Sequence, residues 1–106
     1  MDPRTYTADW HAVVEYSAPG PRPALLVDEP DLRVLVAGLE PGGRIPPHPG
    51  PRGVYHALEG EGRYTLGDEV FAFNAGAVIV APAGAVRGIE AVTRLAFLAV
   101  RLGAEG

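Results

Sequence analysis

The chain has 106 residues, a formal net charge of −4 and no cysteine. That length fits one domain, and the acidity excludes the basic face that nucleic acid or an anionic membrane surface requires. Without cysteine there is no disulfide framework and no thiolate zinc site. Without a single lysine there is no Schiff-base or lysine general-base chemistry.

Met1 to Trp10 is polar, with no apolar leader, and no apolar run approaches the roughly 20 residues of a spanning helix. A soluble, cytoplasmic protein is expected. A domain this small has little surplus stability, so a homodimer is expected too.

Eleven prolines and 14 glycines cut the chain into pieces too short for good helices but rich in Val, Leu, Ile, Tyr and Phe. Ala12 to Tyr16 reads as a first strand, stopped by Ala18-Pro19-Gly20-Pro21. Ala24 to Val27 and Leu32 to Leu39 follow, the latter ending at the turn Glu40-Pro41-Gly42-Gly43. Arg44 to Pro47 is extended, because its prolines fix φ. Val54 to Glu59 and Arg63 to Leu66 are joined tightly through Gly60-Glu61-Gly62, where glycine tolerates positive φ. Val70 to Phe73, Ala77 to Val80, Ala85 to Ala91 and Arg94 to Arg101 complete ten strands. Many short, evenly spaced strands imply an all-β sandwich or barrel with little or no helix.

Two motifs sharpen this reading. Gly42 is followed after five residues by His48, and the stretch closes on Leu58-Glu59-Gly60-Glu61-Gly62. Gly76 is followed after five residues by Pro82-Ala83-Gly84. In order and at this spacing they resemble the two motifs of the cupin superfamily, most closely its small single-domain bacterial members. Gly60 to Gly62 looks like that family's hairpin. The resemblance implies a double-stranded β-helix, or jelly roll, of two packed antiparallel sheets. It covers residues 24–101 loosely, leaving 1–23 as an N-terminal strand or arm, a candidate for a dimer interface, of one 106-residue domain.

The resemblance also implies a metal held by two His of an HxH, a Glu and a further His. His48 stands at the first position and Gly50 at the second. The Glu position falls on Gly53, Val54 or Tyr55, depending on the direction of counting, which implies a short deletion after Gly50. Arg87 takes the place of the last His and Ala91 that of the following Asn. One expected ligand of four remains, and a guanidinium repels a cation rather than ligating it. No cofactor is therefore expected. The alternative is a divalent transition metal at an atypical site, using His48 with His56 or Tyr55. Period-two alternation settles which: if Gly53 faces inward, so do Tyr55 and Ala57, and His56 faces out; a one-residue slip reverses this.

Three functions follow. The first is a small-molecule-binding cupin, dimeric and metal-free, its pocket holding His48, Tyr55, Tyr64 and Arg87 among apolar walls such as Ile45, Ile89 and Phe97. Here Arg87 is either an anion clamp that makes the ligand a carboxylate or other anion, or an arginine satisfied by carboxylate or backbone carbonyls. Arg44 and Arg52 flank the same mouth. The second is an enzyme, either a metal-dependent dioxygenase or isomerase through His48, or a metal-free one with His48 as acid or base. The third is a regulatory module that works through its surface. His11 is expected at the surface, and no catalytic residue is assigned.

Overall fold

The computed structural model describes residues 9–103, so the start of the expected N-terminal arm lies outside the described residues. One helical turn, α1 (Trp10–Val13), precedes ten strands: β1 (Tyr16–Ser17), β2 (Ala24–Glu29), β3 (Leu32–Leu39), β4 (Arg44–Pro49), β5 (Arg52–Glu59), β6 (Gly62–Leu66), β7 (Glu69–Ala72), β8 (Val78–Ala81), β9 (Val86–Ala91) and β10 (Leu95–Leu102). The larger sheet runs β1-β3-β10-β5-β8, with β2 also on β3; the smaller runs β4-β9-β6-β7. From β4 onward the chain passes back and forth between the two sheets, which is the winding of a double-stranded β-helix.

Nine of the ten expected segments are strands, displaced by two residues at most. The tenth, Ala12 to Tyr16, is corrected. The Asp9 carboxylate caps a helical turn by accepting from the His11 backbone N–H at 3.1 Å, and Val14 then turns extended. An N-cap of this kind outweighs the strand propensity of the valines that follow. Pairing begins only at Tyr16 and Ser17, which run parallel to Gly38 and Leu39. The Tyr16 ring lies under the Arg94 guanidinium, 4.5 Å from its carbon, while Arg94 forks onto Glu40. His11 is on this helical turn and exposed.

A second correction concerns Gly60 to Gly62. Strand β5 pairs with β10 and β8, whereas β6 pairs with β9 and β7, so the connection is a corner between sheets and not a hairpin. Gly60 has φ +91°, and a Cβ there would lie 1.9 Å from the Arg94 carbonyl oxygen. Only glycine permits so close a crossing.

Between the sheets, Leu35, Leu39, Phe73, Leu95 and Phe97 pack as a closed core with Tyr55 and Tyr64. Four rings form a continuous chain, Tyr55–Tyr64–Phe73–Phe97, with centroids 5.1, 5.4 and 6.0 Å apart. These are edge and tilted contacts of the kind that add to area burial. The core closes one end of the barrel and leaves the other, beside His48 and Arg87, as a mouth.

The outer face of the larger sheet is apolar as well. Register aligns Val80, Val54, Val100, Val34 and Val27 in one row across five strands, and Val78, His56, Leu98, Val36 and Ala24 in the next. Val78 and Val80 are more than half exposed. An antiparallel sheet with one face in water normally alternates polar residues onto that face.

Candidate functional site at the barrel mouth

His48 on β4 sits directly opposite Arg87 on β9, so both side chains leave the smaller sheet on the same face. Their environments differ. The His48 side chain is exposed, and its Nδ1 lies 3.0 Å from the Pro46 carbonyl. That bond places the proton on Nδ1 and leaves Nε2 as an acceptor. Arg87 is 2% exposed.

The Arg87 guanidinium is fully engaged by the protein. Nε donates to the Ala85 carbonyl at 3.0 Å. One terminal nitrogen donates to the Pro51 carbonyl and, at 3.5 Å, to the Tyr55 hydroxyl. The other donates to the carbonyls of Gly50 at 3.0 Å and Pro82 at 2.8 Å. A guanidinium has five N–H groups, and five acceptors meet them. Four of these belong to the β4–β5 and β8–β9 loops, which are also joined by the Gly84 N–H to the Gly50 carbonyl. Proline explains the arrangement. Pro49, Pro51 and Pro82 bring carbonyls to these loops but no N–H, and Arg87 supplies the missing donors.

Gly50 completes the picture. A Cβ at residue 50 would lie 3.5 Å from the Arg87 guanidinium carbon. A longer side chain in that direction would run into the guanidinium. The fixed positive charge thus occupies the space toward which residue 50 points. The expected pairing of Arg87 with backbone carbonyls is what the structure holds, and no donor is left over for a bound anion.

The other expected site residues are divided by depth. Tyr55 is nearly buried and lines the mouth with its hydroxyl on Arg87. Tyr64 lies a layer deeper, fully buried and away from the cavity wall. Its hydroxyl has no hydrogen-bond partner among the described residues. Burial, reinforced by the adjacent Tyr55, pushes its pKa well up. Gly53, Tyr55 and Ala57 face inward, and His56 is on the outer face, as the unslipped alternation requires. His56 therefore stands apart from His48. Arg44 and Arg52 are exposed and do not line the cavity. Among the described residues no three His, Asp or Glu side chains converge.

The cavity at the mouth encloses about 50 Å³. Its walls are Pro21, Leu35, Ile45, Ile89 and Phe97, and its polar groups are His48, Tyr55, Arg87 and Arg101. Arg101 is absent from the residues expected on sequence grounds. The signal was present: on β10 the two-residue period that turns Phe97 inward also turns Ala99 and Arg101 inward.

The cupin-domain family model matches residues 35–101, which is more than half of the chain and includes β5, β9 and β10. The chain is a cupin. Its solved relatives agree in fold. A conserved protein of unknown function from Streptococcus pyogenes is 25% identical, with a TM-score of 0.84 over 99% of this chain and 93% of that one. An uncharacterized conserved protein with a double-stranded β-helix domain from Klebsiella pneumoniae is 24% identical, with a TM-score of 0.84 over 97% and 95%. An RmlC-like cupin from Desulfovibrio desulfuricans is 23% identical, with a TM-score of 0.83 over 93% and 97%. No curated protein sequence matches this cupin. None of its helices is long and apolar enough to cross a membrane, among the described residues.

Proposed function

We propose that this cupin binds a small organic molecule at its mouth and does so without a metal ion. The observation that carries the reading is the closed hydrogen-bonding shell of Arg87, a cation built into the protein at the position where the cupin resemblance implies a ligating histidine. The donor set supports it. His48 offers one nitrogen, residue 50 offers no side chain, and the neighbouring charge is positive, whereas a stable site needs three or four converging ligands. A concave apolar chamber with few polar groups has the general form of a small-molecule site.

Two measurements test this. Protein purified without chelator is expected to contain well under one transition-metal ion per chain; stoichiometric metal that disappears in His48→Ala would overturn the metal-free reading. Ala99→Leu, which grows a side chain into the chamber, is expected to leave the fold intact and remove the thermal shift given by small ligands. An undiminished shift would place binding elsewhere.

We infer that a second copy of the chain covers the outer face of the larger sheet. The two aligned rows of Val, Leu, Ala and His56 contain no charged side chain for a polar partner to pair with. The two rows span about 24 by 14 Å, or ~700 Å² for a pair, which is the apolar centre of an interface and not its whole, and Val36 within them is already covered by the protein's own chain. A uniform apolar face also suits two-fold self-association. Light scattering is expected to give twice the mass of one chain for the wild type and a single chain for Val78→Asp/Val80→Asp. A monomeric wild type, or a double variant that stays dimeric, contradicts this.

A further inference from the structure

We propose that Arg101 is the group that selects the ligand, and that the ligand is a short-chain monocarboxylate with a compact aliphatic body. This rests on the reading of the mouth as a binding chamber and goes beyond it in naming the recognising residue and the chemical class.

Three observations converge on Arg101. The first is position. On β10 the inward series Phe97, Ala99, Arg101 ends at the open end of the barrel, and Arg101 is aligned with Gly53 on one side and Arg33 on the other. Gly53 has no side chain to compete for the space. Arg33 is turned to Asp28, with 3.1 Å between its Nε and the carboxylate.

The second is the absence of a partner. Arg33, Arg63 and Arg94 each form an ion pair with a carboxylate. Arg101 forms none among the described residues, and its Nε is buried without an acceptor. Nε–H and the adjacent terminal N–H make one edge of the planar fork that grips a carboxylate with two parallel hydrogen bonds. In Arg87 that edge is consumed by Ala85 and its neighbours. In Arg101 no acceptor among the described residues meets Nε.

The third is the field and the volume. Arg87 is a buried cation with no carboxylate paired to it among the described residues, so its charge acts on the chamber although its donors are spent. An anion arriving between Arg87 and Arg101 is favoured by both in a low-dielectric setting. The chamber's 50 Å³ holds about four heavy atoms, reckoned at the ~10–15 Å³ a single water occupies on this measure. Leu35, Ile45, Ile89 and Phe97 suit an aliphatic body of that size. Arg101 also borders an outer groove of about 350 Å³ containing Asp28 and Glu29. A dianion such as phosphate needs more free donors than one guanidinium edge supplies.

Sodium isobutyrate is the test ligand and isobutyramide its neutral counterpart of the same shape, titrated calorimetrically into the full chain and into Arg101→Gln. Isobutyrate is expected to bind the wild type saturably. Isobutyramide is expected to bind about tenfold or more weakly, and Arg101→Gln to weaken isobutyrate about tenfold or more while its unfolding temperature stays near that of wild type. If acid and amide bind alike in both proteins, the anion class and Arg101's role fall while the chamber reading survives. If isobutyrate binds Arg101→Gln as tightly as wild type, Arg101 is not the recognising group. If neither compound binds the wild type at concentrations of tens of millimolar, this inference falls. In that case the loss of a thermal shift in Ala99→Leu, with any other small compound, decides the chamber reading on its own.

Discussion

Replacing Arg87 with methionine is expected to lower the unfolding free energy by about 3–5 kcal/mol, read as a drop in the urea midpoint at unchanged slope. The side-chain volume is nearly kept, so the loss comes from acceptors. The Gly50 and Pro82 carbonyls retain backbone donors, from the Gly84 and Ala85 N–H groups. The Pro51 and Ala85 carbonyls lose the guanidinium, at about 1–3 kcal/mol for each buried group left unpaired. The two loops also lose the tie that holds them at the mouth. Arg87→Lys is expected to recover little, because an ammonium has three donors and no fork. An arginine that served a ligand would behave in the opposite way: its loss would weaken binding and leave stability almost unchanged. A change below about 1 kcal/mol would therefore reject the structural role assigned to Arg87.

Gly60→Ala is expected to cost about 4 kcal/mol or more, enough to leave the chain largely unfolded at physiological temperature. The positive φ alone costs a side chain ~1–2 kcal/mol. The larger part is the approach of a methyl group to within 1.9 Å of the Arg94 carbonyl, a backbone atom that cannot move without parting β5 from β10. Gly76 is the control. Its φ is +96°, yet nothing lies within 4 Å of a Cβ placed there. Gly76→Ala should cost only the ~1–2 kcal/mol of the backbone conformation. Equal losses at the two positions, measured by thermal unfolding, would show that the crossing at Gly60 is looser than the structure has it.

The strands were legible because proline and glycine punctuate them and because β-branched and aromatic residues fill the intervals. What local pattern could not give was pairing. Gly60-Glu61-Gly62 has the composition of a hairpin turn, but the chain changes sheets there, and only long-range partners decide which. Around Ala12 the valines pointed to a strand, and one carboxylate at Asp9 decided for a helical turn. At the site, alternation allowed His56 outside or, after a one-residue slip, inside, and the structure holds it outside. Tyr64 was misjudged by depth: it belongs to the ring chain beneath the mouth, and period two fixes a face but not a layer. Arg87 left two readings open, and the structure chose the carbonyls of Gly50, Pro51, Pro82 and Ala85, in two loops where proline removes backbone donors. Arg101 followed from the same alternation that placed Phe97, but its significance depends on its forming no ion pair among the described residues, a fact of tertiary structure.

The mouth of this cupin is built around an internal cation whose donors are all in use. Nitrogen-15 NMR of the arginine side chains reads this state of Arg87. Arg87 is expected to give separate, slowly exchanging signals for its terminal N–H protons at neutral pH, because five acceptors hold the guanidinium still. Exchange-broadened or averaged Arg87 signals, like those of a solvated arginine, would show that its donors are free.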